Sequence, residues 1–143
     1  MTRYLLPALL ALAITTPAIA ASDDECAIWL CLPVGFVPGE CSKARTAMYK
    51  RVFKGKGPLP RFSSCSADGN ANGFDARRGV AAKIKDTNPT EYVLGRQCVG
   101  RDHNDASVTN TTNTSPPNCV GTYNWIQIYQ HGNRHGERYF WRR

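Results

Sequence analysis

Six cysteines behind an export-type leader constrain this chain more than any other feature. Arg3 supplies a positive start, Leu5 to Ile14 form an apolar run broken only by Pro7, and Ala18-Ile19-Ala20 is the small-x-small pattern of a signal-peptidase site. The run is too short to span a bilayer comfortably, and no stop-transfer charges follow it. Residues 1–20 are therefore expected to be a signal peptide cleaved after Ala20, leaving residues 21–143 as one disulfide-rich domain, periplasmic or secreted, with no transmembrane segment. All of Cys26, Cys31, Cys41, Cys65, Cys98 and Cys119 lie in that mature part, and an even number in an oxidising compartment points to structural disulfides.

The spacing argues the same way. Zinc sites favour two tight cysteine pairs, whereas "CAIWLCLPVGFVPGEC" (residues 26–41) has C-x4-C followed by C-x9-C. A thioredoxin-like C-x-x-C is absent. Of the possible pairings, Cys98–Cys119 is favoured because it would tie off a polar loop that cannot pack itself. Cys26 and Cys31 share one short helical stretch and are poorly placed to bond each other. The four N-terminal cysteines are expected to join the first two helices to each other and to the segment at Cys65, with their partners left open.

Local patterning predicts an α+β fold: a helical N-terminal half over about residues 23–86, packed with a short antiparallel sheet over about 91–143. A first short helix spans Cys26 to Leu32, capped by Asp23 or Asp24 and stopped by Pro33 and Gly35. A second runs from about Glu40 to Phe53, with Cys41, Ala44, Met48 and Val52 as its buried stripe. A third is expected from Asp75 to Asp86, with Val80 and Ile84 inward and Gly79 weakening it. Strands are expected at Glu91–Val99, Tyr123–Gln130 and Glu137–Trp141, with "HGNRHG" as the loop between the last two.

The chain is basic, with a formal net charge of +7 that becomes +6 once Arg3 is lost with the leader. Such a surface favours anionic partners, although the sequence carries no specific nucleic-acid motif. Its cations concentrate in the second helix and just beyond: Lys43, Lys50, Arg51, Lys54 and Arg61 form the candidate binding face. Tyr139-Phe140-Trp141, followed by Arg142-Arg143, is a second candidate contact for protein or lipid, or a strand that closes the sheet.

Other constellations are weaker. "DGNANG" offers Asp68, Asn70 and Asn72 as the front of a calcium loop, but Gly79 stands where the closing glutamate belongs, so an Asn/Gly turn is favoured. His131 and His135 have transition-metal spacing but sit in a glycine-bearing loop. His103 with Asp102 and Asp105 resembles half of an acid–base site, and Glu25, Glu40 and Glu91 are candidate acids for a muramidase, which needs two carboxyl groups across one bond. None of these assigns a catalytic residue, and no cofactor is called for.

The N-terminal third of the mature chain resembles the TrbM/KikA group of conjugal transfer proteins. "CAIWLCL", "GEC" opening an amphipathic helix, and "AMYKRVFKGKGPLPRFSSC" follow that group's order: Cys26, Cys31, Cys41 and Cys65, with Glu40 before Cys41 and Phe62 before Cys65. Ser66 replaces the proline expected after the last cysteine, and residues 70–143 have no counterpart. The resemblance implies a non-enzymatic periplasmic accessory of a mating-pair-formation or type IV secretion apparatus, acting through contacts with its envelope components. The alternatives are a secreted hydrolase of peptidoglycan or nucleic acid, and an exported inhibitor or host-interaction module.

Overall fold

A computed structural model describes residues 20–100 and 114–143. The expected leader, apart from Ala20, lies outside the described residues, as does the group at Asp102, His103 and Asp105. The fold is a small α+β unit with three disulfides, in which helical segments cover one face of a four-stranded antiparallel sheet.

The chain enters through α1 (Asp23–Cys26), capped not by an aspartate but by Ser22, whose hydroxyl accepts from the Glu25 N–H at 3.2 Å. Asp23, Asp24 and Glu25 then lie inside the first turn, where carboxylates suit the positive end of the helix dipole. α2 (Ile28–Cys31) runs into a 3-10 turn at Leu32–Val34, which Gly35 ends in the left-handed conformation at φ +68°. A second 3-10 turn, Gly39–Cys41, leads into α3 (Ser42–Phe53), which buries Ala44 and Met48. Cys31–Cys41 staples α2 to the entrance of α3, and Cys26–Cys65 brings in the 3-10 turn at Phe62–Ser64.

The expected third helix is instead β1 (Phe74–Ile84), an interior strand that pairs with both β2 (Tyr92–Leu94) and β5 (Cys119–Gln130). Val80 and Ile84 are four apart and fit either period. Phe74, Ala76, Val80, Ala82 and Ile84 fall on one strand face, and Arg78 is the polar interruption that hides the alternation. The helical part thus ends at the turn of residues 62–64, and the sheet begins at residue 74. The strand expected at Glu91–Val99 is also divided, into β2 and β3 (Val99–Gly100), with Gly95 at φ +73° between them. β3 pairs with β4 (Thr114–Ser115) in a separate two-stranded sheet. Cys98–Cys119 closes this excursion.

β5 (Cys119–Gln130) and β6 (Asn133–Arg142) form a hairpin longer than the sequence suggests. The connection is only His131-Gly132, with φ +49° and +79°, the double left-handed geometry of a type I′ turn. His135 therefore stands in β6 opposite Ile128 rather than in a loop. The second glycine of "HGNRHG" serves a bulge: between the Ile126–Tyr139 and Ile128–His135 pairs, Gln127 alone faces Gly136, Glu137 and Arg138. Buried Gln127 fills this gap, its Nε2 donating to the carbonyls of Ile128 (3.0 Å), His135 (3.3 Å) and Gly136 (3.1 Å).

Register places Phe74, Ala76, Ile126, Ile128, Tyr139 and Trp141 on the covered face. Their partners in the core are Ile28, Trp29, Leu32, Phe36 and Met48. Trp29 is the joint: its ring stands edge-on to Phe62 at 5.2 Å and to Phe74 at 6.2 Å, while its indole N–H donates to the Pro60 carbonyl at 3.1 Å. Trp141 and Phe140 lie on opposite faces, so the aromatic C-terminus closes the sheet with Trp141 in the core and Phe140 on the far face.

Candidate binding surfaces

α3 presents an exposed stripe because of how its residues fall around the helix. Ala44 and Met48 face inward, which turns Lys43, Lys50 and Lys54 outward beside Tyr49 and Phe53. Phe53 is 93% exposed, and Lys50 and Lys54 flank it. Two of the residues expected on this face do not belong to it. Arg51 borders the buried side, where it pairs with Glu25 at 3.1 Å and donates to the carbonyls of Gly57 (3.1 Å) and Leu59 (3.0 Å). It straps α1 and the post-helix loop to α3. Arg61 is exposed but lines a different groove, between residues 57–63 and β1, together with Arg78.

The far edge of the stripe meets the sheet. The hydroxyls of Tyr49 and Tyr139 lie 3.3 Å apart, and Arg45 stands over the Tyr49 ring. Burial, followed by the Tyr49 hydrogen bond, pushes the Tyr139 hydroxyl up to about 12, against a nearby Arg45 that pulls the other way. At pH values below 10, Tyr139 is protonated in folded and unfolded chains alike. Above that the unfolded chain releases its proton first, so stability falls as pH rises from 10 towards about 12. Tyr139→Phe is expected to flatten the decline of Tm over that window and to remove the last-titrating component of the tyrosinate absorbance. An unchanged profile would show that this contact does not govern alkaline unfolding.

The weaker candidates take structural places. Asp68 Oδ1 accepts from the Asn70 N–H at 3.0 Å and Oδ2 from the Asn70 side chain at 3.2 Å, which holds the Asp68 carboxyl below its usual range and makes an exposed Asx turn. Asn72 follows with φ +48°. His131 sits in the hairpin turn against Gly73, and His135 stands edge-on to Phe74 at 5.8 Å. Among the described residues no three His, Cys, Asp or Glu side chains converge as metal ligands. Glu25 is engaged with Arg51, while Glu40 and Glu91 are exposed on two other segments, so the candidate acids stand on three separate parts of the chain.

Apart from Phe140, the second face of the sheet is not legible in the sequence. Register gathers Arg77 and Lys83 of β1, Tyr123, Trp125 and Tyr129 of β5, Phe140 of β6 and Tyr92 of β2 on that face, with Asp75 as the carboxylate that β1 contributes. Tyr92 stacks on Phe140 with centroids 3.8 Å apart and meets Tyr123 edge-on at 5.5 Å. A cation lies over each of three rings: Arg77 over Tyr129 at 4.6 Å, Arg138 over Trp125 at 4.7 Å, and Lys83 over Tyr123 at 5.7 Å. Trp125 lies flat because Gly79 is opposite it; a Cβ there would come within 2.9 Å of the indole nitrogen, which donates to the Val80 carbonyl at 3.1 Å. The missed signal is the period-2 pattern of β1, which a helical reading of that segment disperses around a cylinder.

Among the described residues no helix is long and apolar enough to cross a membrane, and the three disulfides suit an extracellular or periplasmic compartment. No protein-family model matches the chain, and neither the curated proteins nor the solved structures provide a match.

Proposed function

We propose that the protein is a non-enzymatic, exported accessory of a conjugative DNA-transfer apparatus that docks on an envelope component through α3. The observation that supports docking is Phe53: a large apolar side chain, 93% exposed, held between Lys50 and Lys54 on a helix whose entrance is fixed by Cys31–Cys41. An exposed aromatic gains by desolvation against a partner, and flanking lysines steer that partner towards it when it is acidic. The conjugation setting rests on the likeness of residues 26–65 to the TrbM/KikA group. Export rests on the leader pattern at residues 1–20, and the mature chain begins at Ala21 in this reading.

A deletion complemented with variants tests it. Phe53→Ser combined with Lys50→Glu and Lys54→Glu is expected to lower mating frequency about tenfold or more, the equivalent of about 1.4 kcal/mol of lost contact, with periplasmic protein levels unchanged. All three positions are exposed, so folding is not at stake. A deletion that leaves mating unaltered would overturn the conjugation reading, and full complementation by the triple variant would overturn docking through α3.

A further inference from the structure

We infer that the second face of the sheet binds single-stranded nucleic acid. The inference is independent of docking through α3, which lies on the other side of the sheet. Its basis is a combination of surfaces that a single strand needs and other polymers do not use together.

Unpaired bases expose flat π-faces, and proteins hold them on aromatic rings or on guanidinium planes laid over such rings. This face has both. Gly79, the Trp125 indole and the Arg138 guanidinium form successive layers, and Arg77 over Tyr129 repeats the upper two across β1 and β5. A guanidinium stacked on a ring keeps its N–H edge free for a phosphate while its plane meets a base. Arg138 Nε is buried without a hydrogen-bond partner, so the guanidinium is held by its plane over Trp125 rather than by a hydrogen bond at that nitrogen. Lys83 over Tyr123 adds a third cation beside the stacked rings.

Charge selects among occupants. A neutral glycan could lie on the rings but would leave the cations unpaired. A duplex offers phosphates yet hides its base faces, so the rings would contribute nothing. A lipid surface rewards apolar tips that project, whereas Trp125 lies flat against the strand. Only a single strand satisfies the rings and the cations at once, with phosphates neutralising the arginines that Asp75 does not offset.

The test uses the purified, disulfide-intact protein and a fluorescent oligothymidine of about 20 nucleotides, a length that exceeds a site of a few bases. Anisotropy is expected to show binding at least tenfold tighter than to a duplex of equal length, with a log–log salt slope of about −2 for three phosphate contacts. Tyr129→Ala is expected to weaken binding fivefold or more, and Arg77→Gln, at an exposed position, to weaken it and make the slope shallower by about 0.7. Lys50→Glu on α3 is expected to leave it unchanged. Equal affinity for duplex, no binding, binding only of neutral glycan fragments, or a loss caused by Lys50→Glu but not by Arg77→Gln would each overturn the inference. Near-UV circular dichroism of Tyr129→Ala checks its fold, and the Arg77→Gln result stands independently if that variant is altered.

Discussion

Gly136→Ala is expected to destabilise the protein by about 3 kcal/mol or more, a large fraction of the total stability of a domain this size. Two costs combine. Gly136 has φ +69°, where a residue with a Cβ loses about 1 kcal/mol. The new methyl would also run into Pro33, within 2.7 Å of its Cα, and backbone cannot rotate aside as a flexible side chain can. Overpacking of this kind typically costs about 1–3 kcal/mol. Gly132→Ala is the control, since φ is +79° there but nothing lies within 4 Å of the added carbon, so about 1 kcal/mol is expected from conformation alone. Urea midpoints of the two variants at unchanged m-value separate the contributions. Equal destabilisation would mean that the β6 bulge does not bear on the 3-10 turn at Leu32–Val34. The contact matters beyond stability because the bulge sets where β6 resumes its register, which puts Tyr139 and Trp141 in the core and Phe140 on the far face.

The same hairpin shows what the sequence expresses and what it withholds. "YNWIQIYQ" declares a strand through its alternation, and Ala44 with Met48 declares the buried side of α3, because each pattern needs only one element to be recognised. The bulge needs two. Gly136 looks like loop glycine until Gln127 is placed opposite it and Pro33 above it. β1 is obscured in a similar way: Arg78 occupies the covered face by packing against Gly57, a residue too distant in sequence to be anticipated, and so the strand period breaks. Once β1 is read as a helix, Arg77 and Lys83 have no reason to meet Tyr129 and Tyr123. The cationic, aromatic face is a property of strand order and register. The α3 stripe, in contrast, was legible as a basic helix. Arg51 lies off that stripe, because its partners, Glu25 and the carbonyls of Gly57 and Leu59, depend on tertiary packing.

Removing Cys26–Cys65 by double alanine substitution is expected to cost the most of the three disulfides. Constraining the unfolded chain over a separation of 39 residues is worth about 4 kcal/mol in the loop-entropy account, against about 3 for Cys98–Cys119 at 21 and somewhat less for Cys31–Cys41 at 10. The native state adds a local reason. Cys65 closes the 3-10 turn that carries Phe62, and Phe62 is stacked on Phe74 at 4.5 Å and set edge-on to Trp29. Freeing Cys65 lets that turn leave the joint between α2 and β1, and water then reaches Trp29. The double variant should therefore show a red-shifted tryptophan emission at temperatures below its main transition, and a Tm lower by about 15 °C. The shift should persist in Cys26→Ala/Cys65→Ala with Trp125→Phe and be lost with Trp29→Phe, which assigns it to the joint. If Tm falls without any change in emission, the bond acts only through the unfolded chain and aromatic packing alone holds the joint. The binding surfaces give a further discrimination. α3 keeps its Cys31–Cys41 anchor but loses the neighbour of the Glu25–Arg51 strap, whereas the far face of the sheet contains no residue of the joint. At temperatures where the variant remains folded, contacts through α3 should weaken while binding on the sheet face persists.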